Sequence, residues 1–132
     1  MKLFPYLILR SKKLISKLLA PYKEDLIAKD INLLDGTVLS IISKAKAKGC
    51  RPDELLPQST GVIRNENASG MNATTQQGDI ANIISKIYSD YEKSLRQSNS
   101  LDFDDLLLFG VKLFSQHKRA VQWCKHVLVD EL

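Results

Sequence analysis

The residues best placed to do chemistry stand close to the end of the chain. Asp130 and Glu131 are adjacent carboxylates that follow Val127-Leu128-Val129, a short apolar run rich in β-branched residues. Such a run predicts a buried strand. A strand with two acids at its tip presents them where Mg²⁺ and a water molecule can reach. Three further acids, Asp102, Asp104 and Asp105, stand together upstream. A cation needs several convergent oxygens, whereas the first turn of a helix splays its side chains. The spacing instead makes Asp102 an N-cap and Asp105 its partner three positions on, both favoured by the helix dipole.

A basic group is the second candidate. Lys44, Lys46, Lys48 and Arg51 cluster towards one helix end, where they could contact the backbone phosphates of a nucleic acid. Lysines at that position also complement the negative end of the helix dipole, and this structural reading stands open beside the first. A formal charge of +4 and a pI near 9.1 suit a phosphate-bearing partner without requiring one. Cys50 and Cys124 lie far apart and outside any C-x-x-C spacing, so two reduced thiols in an intracellular protein are expected. His117 and His126 have neither metal-ligand spacing nor a candidate nucleophile beside them.

The elements that must position these residues are helical. The chain of 132 residues has room for one domain with a real core. Its opening, residues 1–10, is left unassigned: the apolar run is broken by Pro5, closes on Arg10 and leads to no small-residue cleavage site. It therefore predicts neither a signal peptide nor a membrane span, and secretion is not expected. From Ser11, Leu14, Ile15, Leu18 and Leu19 repeat at helical spacing, and Pro21 interrupts them. Val38, Ile41, Ile42 and Ala45 make the apolar stripe of the next helix, capped by Asp35 or Thr37 and stopped by Gly49. Arg51 to Pro57 reads as one helical turn between prolines. Residues 58–78 lose all periodicity and predict a flexible loop.

The strongest helical pattern follows, with Ile80, Ile83, Ile84, Ile87, Tyr88, Tyr91 and Leu95 on one face and Asp79 as its cap. A last long helix opens at Asp102, with Phe103, Leu106, Leu107, Val111 and Phe114 expected on its buried side. The predicted fold class is thus mainly α, with one C-terminal β-strand.

Three segments in order carry a resemblance. Ile87-Tyr88-Ser89-Asp90-Tyr91-Glu92 precedes Leu101-Asp102-Phe103-Asp104-Asp105-Leu106-Leu107, and Val127-Leu128-Val129-Asp130-Glu131 follows. Together with Ile42-Ser43-Lys44-Ala45-Lys46 and Arg51-Pro52-Asp53-Glu54-Leu55, they resemble the superfamily 1 DNA helicases of the UvrD, Rep and PcrA type, closest to fungal Srs2-like members. The resemblance covers roughly Ser11 to Glu131. It implies that residues 11–100 are a helical subdomain of the kind called 1B, with the flexible loop 58–78 inside it. It further implies that residues 101–132 return, as a helix and a Walker B strand, to the sheet of a RecA-like P-loop ATPase domain, 1A.

In a complete motor of that family Asp130 would hold Mg²⁺, usually through water, and Glu131 would be the catalytic residue that orients or deprotonates the attacking water at the γ-phosphate of ATP. The resemblance implies DNA as partner and 3′-to-5′ unwinding coupled to ATP hydrolysis in repair or recombination, in the nucleus of a eukaryote or otherwise inside the cell. The 132 residues contain no G-x-x-x-x-G-K-[ST] segment. The chain by itself is therefore expected to bind neither ATP nor Mg²⁺ productively and to be inactive alone. The alternative is a non-enzymatic helical module that binds protein or DNA.

Overall fold

The computed structural model describes residues 3–55 and 72–130, with side chains from 10 to 55 and from 78 to 130. Among the described residues six α-helices run in order: α1 (Leu3–Leu19), α2 (Lys23–Ala28), α3 (Asp35–Ala47), α4 (Asn72–Gln97), α5 (Phe103–Gln116) and α6 (Lys118–Gln122). Single 3₁₀ turns at Ala20–Tyr22 and Pro52–Glu54 join or follow them. The mainly helical expectation is met.

α1, α3 and α4 pack together and enclose one apolar core. Ile15 and Leu19 come from α1, Val38, Ile41 and Ile42 from α3, and Ile84, Ile87 and Tyr91 from α4. The stripes legible at helical spacing are the ones that are buried. α4 is also pinned to the turn after α3. The Ser85 hydroxyl donates to the Pro52 carbonyl at 2.6 Å and the Tyr88 hydroxyl to that of Cys50 at 2.9 Å.

Helix ends are closed by the backbone. At the end of α3, Gly49 takes a left-handed conformation (φ 71°). Its N–H donates to Lys46 O at 2.9 Å, and that of Cys50 to Ala45 O at 2.9 Å. Paired bonds of this kind satisfy the last carbonyls, and a residue without Cβ adopts the required φ at least cost. The same device ends α4, where Asn99 takes the left-handed position (φ 47°) and Ser100 N–H reaches Leu95 O at 2.9 Å. The chain then turns straight into α5.

Several expectations are corrected. α1 begins at Leu3 rather than Ser11, because Pro5 falls in the first turn, where its missing N–H has no intrahelical role. α4 begins at Asn72, so the aperiodic stretch 58–78 is helical from 72 onwards, and the rest of it lies outside the described residues. Asp79 is therefore inside α4 rather than its cap, and it pairs with Lys29 at 3.2 Å. Polar turns with no apolar stripe can still extend a helix nucleated by a packed segment. Leu34, not Asp35 or Thr37, occupies the N-cap of α3.

The largest correction concerns the C-terminal region. Residues 124–130 have no regular secondary structure, and no strand occurs among the described residues. Val127, Leu128 and Val129 are 76%, 99% and 66% exposed. A strand needs a neighbour for its backbone groups, and a parallel one needs cover on both faces; none is supplied here. Phe103, Leu106, Leu107, Val111 and Phe114, expected as a buried side, are all exposed. The one buried residue within α5 is Asp105.

Candidate functional site

The basic candidates lie at the C-terminal end of α3 and in the turn beyond it. Lys44 and Lys48, four apart, are exposed on one face of the helix. Arg51 is exposed just after the turn, with its Nε 3.7 Å from Glu54 Oε1. Glu54 also accepts from the Arg51 backbone N–H at 2.9 Å, so this turn partly neutralises the guanidinium. Gly49 and the two α4 hydrogen bonds to Cys50 and Pro52 fix where the group points.

Lys46 departs from that group, and its assignment as a phosphate contact is corrected. Its side chain is 2% exposed. The ammonium lies 2.7 Å from Glu92 Oε1, 2.8 Å from Asp102 Oδ2 and 2.8 Å from Asp105 Oδ1. It also sits 5.6 Å from the centroid of the Tyr91 ring. The physical reason is helical geometry: Lys46 is four residues after Ile42 and eight after Val38, so it lies on the inward stripe.

The acids are held by their own local chemistry. Asp102 caps α5, its Oδ1 accepting from Asp105 N–H at 2.8 Å, while Asp105 Oδ2 accepts from Asp102 N–H at 3.3 Å. This is the capping box expected from the sequence. The Tyr91 hydroxyl lies 2.9 Å from Asp102 Oδ2 and 3.0 Å from Ser11 Oγ. A phenol has one proton, and the carboxylate is the stronger acceptor. Tyr91 thus donates to Asp102 and accepts from Ser11.

Charge states follow from these contacts. Burial alone would lower the pKa of Lys46, but hydrogen bonds to Asp102, Asp105 and Glu92 outweigh it and raise the value above the ordinary lysine range. Burial would raise that of Asp102. The Lys46 ammonium, the Asp105 N–H and Tyr91 together hold it below the usual carboxylate range. Tyr91 is pushed up, chiefly by burial. Carboxylate oxygens of Glu92, Asp102 and Asp105 lie within 4.8 Å of one another, a spacing that could hold a metal ion. The cation on which they converge is the ammonium of Lys46 itself.

Asp130 is exposed, and it does not belong to the carboxylate group close enough to share a cation. Glu131 lies outside the described residues. Mg²⁺ is held through one or two carboxylates together with waters and substrate phosphates, so Asp130 by itself is no complete site, and no chemistry is routed through that ion. A cleft of about 650 Å³ runs between α1 and the end of α4, lined in part by Arg10, Lys17, Ser94, Ser98 and Ser100. The hydroxyls of Ser94, Ser98 and Ser100 donate to backbone carbonyls of α4 and the turn after it, and that of Ser11, also in the lining, is engaged by Tyr91, so they do not converge on a ligand.

Sequence reasoning missed Lys46 and Glu92 as a pair. The signal was present, since Glu92 is four residues after Tyr88 and adjoins Tyr91. Both charges thus fall on apolar helix faces, where only a paired charge is tolerated.

Residues 6–132 match the UvrD/REP helicase N-terminal domain. The chain belongs to that family. It is 36% identical over 85 residues to the ATP-dependent DNA helicase UvrD1 of Mycobacterium bovis, a match covering 58% of this chain and 11% of the relative. Identity to the ATP-dependent DNA helicase PcrA of Bacillus subtilis is 28% over 99 residues, 72% of this chain and 11% of the relative. Identity to the ATP-dependent DNA helicase SRS2 of Saccharomyces cerevisiae is 32% over 90 residues, 68% and 6% respectively. The match thus spans between 6% and 11% of the length of these relatives. No solved structure matches. No helix among the described residues is long and apolar enough to cross a membrane.

Proposed function

We propose that this chain is the DNA-contacting helical part of an ATP-dependent DNA helicase, with Lys44, Lys48 and Arg51 touching backbone phosphates. The observation that carries the reading is the division of labour along α3. Lys44 and Lys48 face solvent at one helix end, while Lys46 between them is turned inward and spent on carboxylates. Phosphate contacts position a protein on DNA without reading sequence.

The boundaries at residues 11–100 and 101–132, as a 1B-like subdomain and a return to the ATPase domain, belong to the same proposal. So do the roles of Asp130 with Mg²⁺ and Glu131 with the attacking water, which need a P-loop, for which the 132 residues hold no G-x-x-x-x-G-K-[ST] segment, and a sheet, of which no strand occurs among the described residues. We expect no ATP hydrolysis by this chain alone. Kinship to the Srs2-like members, and with it a nuclear site and 3′-to-5′ polarity, is also carried as part of the proposal. The apolar exposure of α5 favours a second reading, a helical module for a protein partner.

Fluorescence anisotropy with single-stranded DNA tests the first reading. Binding should weaken steeply with salt, and Lys44→Ala with Lys48→Ala should lower the slope of log K against log salt by about 1.4, at roughly 0.7 per single-strand phosphate contact. A flat salt response, or an unchanged slope in the double variant, would sink the DNA assignment and favour the protein module.

A further inference from the structure

The buried apolar cluster of the bundle draws residues from α1, α2, α3, α4 and the segments between them up to Leu55, and none from α5 or beyond. What α5 buries instead is polar: its N-cap Asp102 is 5% exposed and Asp105 in its first turn 5%. Both meet the Lys46 ammonium at 2.8 Å. Apolar burial is non-directional and strengthens with area, whereas a buried ion pair holds through a few well-placed atoms and fails when one partner is lost.

We propose that Lys46 is the pin of a releasable hinge: its ammonium holds the first turn of α5 against α3 and α4, and α5 can swing free there while the helical bundle stays folded. The turn into α5 suits a hinge. Asn99 sits in the left-handed conformation between the helices, and α5, 14 residues long, frays in water once released, since an isolated helix of that length is marginal. The hinge stands independently of the helicase reading. Only its consequence rests on that reading, namely that Lys46 links the basic face of α3 to the segment carrying Asp130.

Release frees three carboxylates into water rather than leaving them buried, which is why loss of the pin opens the hinge instead of unfolding the core. The same three carboxylates provide a control that a mere packing role would not pass. With the ammonium removed, oxygens within 4.8 Å of one another can accept a multivalent cation in its place, and that cation should close the hinge again.

Amide hydrogen exchange on the 132-residue chain, read residue by residue, tests this without DNA or nucleotide, so it can fail while the helicase reading stands. In Lys46→Met, amides of Asp105 to Phe109 should exchange at least tenfold faster, and those of Ile83 to Ile87 in α4 less than twofold faster. Terbium should return the α5 rates to within about twofold of the unsubstituted protein, with emission sensitised by the nearby tyrosines, and should have neither effect when Lys46 is present. If α4 and α5 accelerate together, or terbium restores nothing, the hinge is overturned. Should Lys46→Met not fold, Glu92→Gln on the rim of the cluster serves instead. A two- to fivefold acceleration confined to α5 supports the hinge, and unchanged α5 rates overturn it.

Discussion

Lys46 shows how far a residue's meaning depends on the three carboxylate oxygens it can reach. In sequence it is one of three lysines spaced by two, and along a helix that spacing puts the middle one across from its neighbours. Its burial is tolerable because three carboxylates and the Tyr91 hydroxyl surround the site. Tyr91→Phe keeps the ring and removes only the hydroxyl that donates to Asp102. Loss of a hydrogen bond to a buried charge should cost about 1.5–3 kcal/mol, read as a lower urea midpoint by far-ultraviolet circular dichroism. An unchanged midpoint would mean that Ser11 or water replaces the phenol at no cost.

At the scale of elements, α4 and α5 have similar apolar patterning and opposite fates. The stripe of α4 was legible because its partners, α1 and α3, are in the same chain and carry matching stripes. α5 was legible as a helix with a capping box, but not as an exposed one, since periodicity reports which face is apolar and not whether anything covers it. The Val127–Val129 run has strand composition for the same reason and forms no strand, because neighbouring strands decide the outcome more than propensity does. Glu92 went unread because a charge among isoleucines and tyrosines makes sense only once Lys46 is seen opposite. The two helices should answer substitution differently. Ile84→Ala, at a fully buried position, should cost about 2–5 kcal/mol. Leu107→Ala, 62% exposed, should stay within about 0.5 kcal/mol. Urea titrations of both variants check this, and a large loss at Leu107 would show that α5 belongs to the bundle core.

At the scale of the whole molecule, the buried ionisable groups set a pH window. Asp102 has its pKa lowered on folding, so its contribution is present above the ordinary carboxylate value of about 4 and is lost as pH falls through the folded value. Lys46 is raised, and Tyr88 is pushed up to about 12, first by burial and then by Glu92. Their contributions are complete below the unfolded values near 10 and are lost as pH climbs through the folded ones. Thermal melts should therefore be flat between about pH 5 and 9 and fall on both sides. A melting point that rises steadily from neutral pH into the alkaline range would contradict the assigned directions.

The chain has a single tryptophan, Trp123, just beyond α6 and 76% exposed. It carries its own optical consequence. Its emission should already be that of a solvated indole in the native protein, so melting the bundle will barely change its colour, and an unfolding curve followed by tryptophan fluorescence would miss the transition. In the chain the same indole stands between α5 and Val127–Val129, both of which carry exposed apolar side chains. A blue shift on adding any macromolecule would report that this surface has been shielded from water, with no label attached.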